Sequence, residues 1–249
     1  MTPPIPPRPA LFLDVDGTLL PIAARPADVR PDPRLLDQLD RLSFTLDGAC
    51  ALVSGRTIAD LSKMFWPLRL PAAGTHGLER RRADGWIVRD AADSAQLDPT
   101  RDALALVARS EPGLYIEDKG NTLAAHYRDA PQCERKVRAI FSRFTRLRAS
   151  RYEVQEGLHV LELKPAGINK GTALAEFMAA PPFAGRTPVA AGDDLSDVHA
   201  FRAAEKLGGF GIAVGDRIPA PWRLATPEEL RTWLASLVDS VHSGRGKPA

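Results

Sequence analysis

The sequence predicts an α/β fold: a mainly parallel sheet flanked by helices, with a smaller α+β module inserted into it. Two observations carry that reading. In the first and last thirds of the chain, short apolar runs alternate with stretches of helical spacing, the order of strand–helix–strand units with right-handed crossovers. In the middle third the order becomes helix, hairpin, helix, hairpin, which makes a small antiparallel sheet with helices on one face.

Residues 1–10 are proline-rich and lack a long apolar run, so they read as a flexible lead-in rather than a signal peptide or anchor. An apolar strand from Ala10 to Leu13 then ends abruptly at Asp14 and Asp16, with Gly17 and Thr18 beside them. Side chains two apart on a strand share a face, so both acids are expected at the carboxyl edge of the sheet, where open α/β sheets place their ligands. Leu35, Leu36, Leu39, Leu42 and Leu46 have helical spacing. Ala49 to Val53 form a second buried strand ending at Ser54, Gly55 and Arg56, and a helix with Ile58, Leu61, Met64 and Phe65 on one side follows.

The inserted module reads as a helix from Asp98 to Ser110, then a hairpin of Leu114 to Asp118 and Thr122 to Arg128 turning near Gly120 and Asn121. A helix from Gln132 to Arg148 precedes a second hairpin, Tyr152 to Gln155 with His159 to Lys164, around Glu156 and Gly157. The α/β pattern resumes with a helix from Lys170 to Ala180, a strand from Pro188 to Ala191, a helix from Leu195 to Leu207 and a strand from Phe210 to Val214. Thr226, Pro227 and Glu229 form a capping box that opens a final helix. The expected division is a core of 1–82 and 165–249 around a module of 83–164, with a loose tail at 243–249.

A chain of 249 residues, 44% hydrophobic and 26% charged, has the composition of a soluble globular protein. Its net charge of +2 gives no reason to expect a nucleic-acid or anionic-membrane partner. No segment approaches transmembrane length. Cys50 and Cys133 lie far apart without metal-ligand spacing, which suits the reduced cytoplasm. A monomer is expected. Arginine is the default cation, and three of the few lysines, Lys119, Lys164 and Lys170, fall within the motifs below.

Four elements sit at the expected ends of core strands: Asp14 to Thr18, Ser54 to Arg56, Lys170 with Gly171, and Gly192 to Asp197. Asp193 and Asp194 follow a strand as Asp14 does, so at least three carboxylates converge and would repel one another unpaired. A hard, oxygen-seeking cation resolves this, and Mg²⁺ typically takes one or two carboxylates with water and phosphate. Ser54 adds a hydroxyl, and Lys170 adds a cation at a helix N-terminus, a favourable place for an anion. Carboxylates, magnesium, hydroxyl and lysine together describe phosphoryl transfer.

This set, in this order, resembles the haloacid dehalogenase (HAD) superfamily, which implies a Rossmann-like core carrying an inserted cap. The resemblance implies that Asp14 is the nucleophile, forming an aspartyl-phosphate. Asp16 would protonate the leaving oxygen and then deprotonate the attacking water. Mg²⁺ would be held by Asp14, Asp193 and the main-chain carbonyl of Asp16, with Asp194 counted beside them, and Ser54 and Lys170 would hold phosphoryl oxygens.

Three further stretches, Gly74 to Glu79, Glu117 to Arg128 and Leu161 to Gly171, resemble trehalose-6-phosphate phosphatases within that superfamily. The substrate implied is trehalose 6-phosphate, with Gly55, Arg56, His76, Glu79, Lys119, Asn121 and Glu162 among its contacts. A disaccharide offers hydroxyls that both donate and accept, which suits fixed Glu, His, Asn and Lys side chains. Two departures stand out. Ser196 and Val198 occupy positions where that family has threonine and glutamate, and Lys164 stands where arginine is usual.

Other readings stay open beside this one: a phosphatase for another sugar phosphate such as sucrose phosphate, a phosphomutase, or an inactive sugar-phosphate sensor. Plainer roles are also expected for several residues. His199 and His242 read as surface residues, His159 as a structural residue of a hairpin strand, and Trp66 and Trp86 as packing residues. Cys50 reads as a small buried hydrophobe. Arg128 pairs with an acid or touches substrate. The arginine-rich stretch 134–148 is a solvated face over an apolar stripe.

Overall fold

The computed structural model describes residues 2–23, 29–90, 94–147 and 151–245, with side chains described as far as residue 240. Residues 246–249 of the expected tail and the side chain of His242 lie outside that range. The chain forms two compact units: Met1–Arg89 with Asn169–Ala249, and Asp90–Ile168.

The first unit is built on a sheet whose centre is β1 (Pro9–Leu13), every residue of which is buried. β1 lies parallel between β2 (Cys50–Val53) and β10 (Thr187–Gly192), with Leu13 opposite Leu52 on one side and Ala191 on the other. Strands buried on both faces read as continuous apolar runs, as Ala10 to Leu13 and Cys50 to Val53 do. Outward from β2 come β3 (Ala72–Gly74), parallel, then β4 (Glu79–Arg81) and β5 (Ile87–Arg89), antiparallel; outward from β10 come β11 (Phe210–Val214) and β12 (Trp222–Leu224), parallel. The order reverses at β1, the topological switch point at which such sheets hold ligands.

Helices cover this sheet. α1 (Pro33–Thr45) starts at Asp32, whose side chain accepts from Leu35 N at 2.9 Å, and Pro33 takes the first helical position. α2 (Ile58–Met64) is capped by Thr57, α5 (Lys170–Met178) by Asn169 in a capping box with Thr172. α6 (Asp197–Lys206) and α7 (Pro227–Arg245) complete the unit. At the start of α7, Thr226 Oγ1 accepts from Glu229 N, while the Glu229 carboxylate reaches Ala225 N, one residue beyond the expected box.

The second unit holds β6 (Tyr115–Asp118), β7 (Leu123–His126), β8 (Tyr152–Gly157) and β9 (Val160–Pro165) in the antiparallel order β6-β7-β9-β8. α3 (Asp98–Ser110) and α4 (Glu134–Leu147) share a core with one face of it, where Leu104, Val137 and Phe141 meet Leu123, Ala125, Leu161 and Leu163. The opposite face carries Glu117, Thr122, His126 and Glu162.

Several expectations change. The first unit extends to Arg89 because the β4–β5 hairpin pairs into the large sheet, so the expected breaks at 82 and 164 fall short of those at 89 and 168. The lead-in is anchored: Pro3 is buried and its carbonyl accepts from the Trp233 indole at 2.9 Å. Part of the expected loose tail, through Arg245, is helical. His159 lies in the β8–β9 turn with φ of 59°, not in a strand. Trp66 and Trp86 do not pack; they are 65% and 70% exposed.

Candidate active site

The carboxyl ends of β1, β2, β3 and β10 deliver Asp14, Ser54, Thr75 and Asp193 to one edge of the sheet, because those strands run parallel. Asp14 is 5% exposed. Its Oδ1 accepts from Lys170 Nζ at 2.8 Å and its Oδ2 from Thr18 Oγ1 at 3.1 Å. The same Thr18 hydroxyl lies 3.1 Å from Asp193 Oδ1. Gly17 makes this possible: it adopts φ of +85°, and a Cβ there would stand 2.2 Å from Asp193 Oδ2.

Lys170 also donates to Asp197 Oδ1 at 2.7 Å. Asp14, Asp193 and Asp197 bring carboxylate oxygens within 4.8 Å of one another, all buried. Burial works against the Lys170 ammonium, yet Asp14 and Asp197 together outweigh it and hold its pKa above the ordinary lysine value. Burial pushes the Asp197 carboxyl up; Lys170 pulls it back, and Asp14 and Asp194 push it further up. Asp197 also shapes the loop, since its Oδ2 accepts from the N–H groups of Asp193 and Asp194 at 3.1 and 3.2 Å.

Asp194 does not join the carboxylate group, contrary to expectation, because its Oδ1 accepts from Ser196 N at 2.7 Å. The Asp16 carboxylate stands apart as well. Arg56 grips it through two 2.7 Å bonds, from Nε to Oδ2 and from Nη2 to Oδ1, a planar fork matched to a carboxylate. Ser54 Oγ accepts from Arg56 N at 3.1 Å. Thr75 N donates to Arg56 O and His76 N to Ser54 O, so the turn after β3 clamps the loop after β2. Thr75 and His76 adopt φ of 49° and 55°, rare for side-chain-bearing residues and costly for a β-branched one, the kind of strain that clusters at functional sites. Gly55 faces His76 so closely that a Cβ would lie 2.6 Å from His76 Nε2. Glu79 accepts from Thr75 Oγ1 at 3.1 Å and pairs with Arg89 at 3.2 Å.

On the second unit, Lys119 Nζ lies 3.4 Å from Glu162 Oε1 and 3.7 Å from Glu117 Oε2. Thr122 Oγ1 donates to Glu162 Oε1 at 2.8 Å. Asn121 sits in the β6–β7 turn, its N–H bonded to Lys119 O at 3.1 Å. Lys164 is buried and held by Glu153 and the Ile168 carbonyl, the structural partners of this departure. Arg128 is exposed and makes no ion pair among the described residues.

Sequence reasoning missed one residue here. Arg217, in the loop after β11, places its guanidinium on Asp193 Oδ2. The available signal was its place just past the end of a core strand, at the same sheet edge.

A family model described as trehalose-phosphatase matches residues 12–218. A Sinorhizobium fredii protein named "Probable trehalose-phosphate phosphatase" is 42% identical over 92% of this chain and 87% of its own length. The trehalose-6-phosphate phosphatase of Escherichia coli is 37% identical over 98% of this chain and 92% of its own. In fold, the C-terminal domain of a C. albicans trehalose-6-phosphate phosphatase superposes with a TM-score of 0.82 at 23% identity, covering 94% of this chain and 93% of that one.

Proposed function

The chain belongs to the trehalose-phosphatase family, and from that footing we propose that it hydrolyses trehalose 6-phosphate to trehalose and phosphate through an aspartyl-phosphate on Asp14. The observation that carries the reading is the buried cluster of Asp14, Thr18, Lys170, Asp193 and Asp197 at the switch point of the sheet. A carboxylate oxygen of Asp14 attacks phosphorus, and the sugar oxygen leaves with a proton from Asp16. Water then attacks the same phosphorus as Asp16 takes its proton, which releases phosphate and restores Asp14. Lys170 and Ser54 hold the phosphoryl oxygens and offset the charge that develops on them. Arg56 orients Asp16; for Asp16 to carry a proton one arm of that fork has to yield, which leaves a guanidinium N–H for the substrate.

Oxygen donors of this kind fit Mg²⁺. Lys170 already lies between Asp14 and Asp197, so Asp14 and Asp193, with the main chain at Asp16, are the groups that would hold the ion. When bound, it supplies charge neutralisation for the phosphoryl group. We assign sugar recognition to His76, Glu79, Lys119, Asn121 and Glu162, and contact with the phosphate side to Gly55 and Arg56. The reading places a monomer in the cytoplasm with neither nucleic acid nor membrane as partner. No helix among the described residues is long and apolar enough to cross a membrane.

The test is phosphate release from a panel of sugar phosphates with Mg²⁺ present. Trehalose 6-phosphate is expected to exceed sucrose 6-phosphate and glucose 6-phosphate in kcat/KM by roughly a hundredfold or more, the scale of selectivity that hydrogen-bonded hydroxyls give. Equal rates across the panel would replace this substrate with a broader class, and transfer of phosphate to a second sugar hydroxyl would replace hydrolysis with a mutase reaction.

A further inference from the structure

We infer that His126 is a positioning residue for sugar recognition, acting through Glu117. The register of the second unit's sheet pairs Tyr115 with His126 and Glu117 with Ala124, so Glu117 and His126 lie diagonally on one face. His126 Nε2 lies 3.1 Å from Glu117 Oε2. Lys119 Nζ approaches the same oxygen at 3.7 Å and then Glu162 Oε1 at 3.4 Å. The result is a row of alternating donors and acceptors, His126, Glu117, Lys119 and Glu162, running from β7 through β6 and the turn after it to β9.

Its geometry is selective. His126 and Lys119 both address Oε2 of Glu117, and its Oε1 makes no hydrogen bond among the described residues. An imidazole with a proton on Nε2 therefore fixes which carboxylate oxygen is held and leaves the other free of that bond. The Tyr115 ring, 5.5 Å from the imidazole between centroids, limits the rotation of the histidine. Burial alone would push the Glu117 carboxyl up; His126 and Lys119 instead keep it below the ordinary glutamate value, so it stays an acceptor. A half-buried carboxylate with one oxygen held and the other without a hydrogen bond among the described residues suits a sugar hydroxyl donor.

This rests on the proposed function, and the experiment separates the two. Wild-type turnover of trehalose 6-phosphate tests the function. Comparison of variants, on whichever sugar phosphate the wild type takes best, tests His126. His126→Ala is expected to raise KM about tenfold with kcat near wild type, the mark of lost binding shared by ground and transition states. Turnover of a small aryl phosphate, which has no sugar, is expected to stay unchanged. His126→Gln should restore KM, because its amide nitrogen reaches where Nε2 stands; His126→Asn, one bond shorter, should not. Unchanged KM in the alanine variant, equal losses on the aryl phosphate, or equal behaviour of Gln and Asn would each overturn the assignment. Thermal melting of all three variants guards the comparison. If the alanine variant fails to fold, the Gln and Asn pair still decides it.

Discussion

Thr18 has one hydroxyl proton and two carboxylate oxygens at 3.1 Å, on Asp14 and Asp193. It can donate to only one at a time, so the other relies on a cation. Asp14 has Lys170, and Asp193 has Arg217. Asp16 stands outside that division, held by Arg56, so substitutions at Asp14 and Asp16 should behave differently. Asp14→Asn is expected to leave almost no turnover. Asp16→Asn should keep a burst of phenol from an aryl phosphate, whose leaving group needs little protonation, while losing steady-state turnover; a burst from the Asp14 variant alone would reverse the two roles. For the sugar, Lys119→Ala and Glu162→Ala should each lower kcat/KM on trehalose 6-phosphate by roughly ten- to hundredfold, as loss of a hydrogen bond to a charged group does, with little change on an aryl phosphate. Asp14 and Asp193 were legible because each follows an apolar run, and Lys170 because it is a lysine opening a helix in an arginine-rich chain. The guanidinium of Arg217 was not, because its part depends on how the loop after β11 folds back onto Asp193, and no periodicity encodes that.

Among the elements, α5 does the most for the site. Its first residue is Lys170, and the turn before it is fixed by Asn169, whose side chain accepts from Gly171 N and Thr172 N at 2.9 and 3.1 Å. Asn169→Ala should cost about 1 kcal/mol of stability, the usual worth of an N-cap, seen as a lower denaturant midpoint with unchanged slope. It should also slow turnover more than a cap substitution remote from the site, such as Thr57→Ala on α2; equal kinetic effects would separate cap geometry from lysine placement. α1 announced itself through leucine spacing, α7 through its capping residues, and both hairpins of the second unit through their strand runs and a Gly turn. β4 and β5 did not: each is three residues long, and Glu79, Arg80 and Arg81 show no apolar alternation. Two of these charges are nonetheless buried and partnered, Arg80 with Glu176 at 2.7 Å and Arg81 with the Leu70 carbonyl at 2.9 Å. The rule that charge lies outside fails where a long side chain finds its acceptors within the fold.

For the molecule as a whole, the net charge of +2 conceals a buried acidic centre. Excess chelator is therefore expected to abolish phosphate release and Mg²⁺ to restore it; full turnover in chelator would remove the ion from the site. The presence of an inserted module was readable from the change of grammar at mid-chain, whereas its edges were not, since the one strand that carries the first unit past residue 82, β5, is only three residues long. That insertion has a kinetic consequence. β1 is made early, yet its partner β10 emerges only after the whole second unit, while residues 90–168 hold all their strand pairings within one contiguous stretch. During synthesis the second unit can finish folding while the edge of β1 that β10 will cover, an apolar edge, still waits. A ribosome that pauses before Thr187 prolongs the life of an open, aggregation-prone strand, and the speed of translation across the insert becomes a determinant of yield.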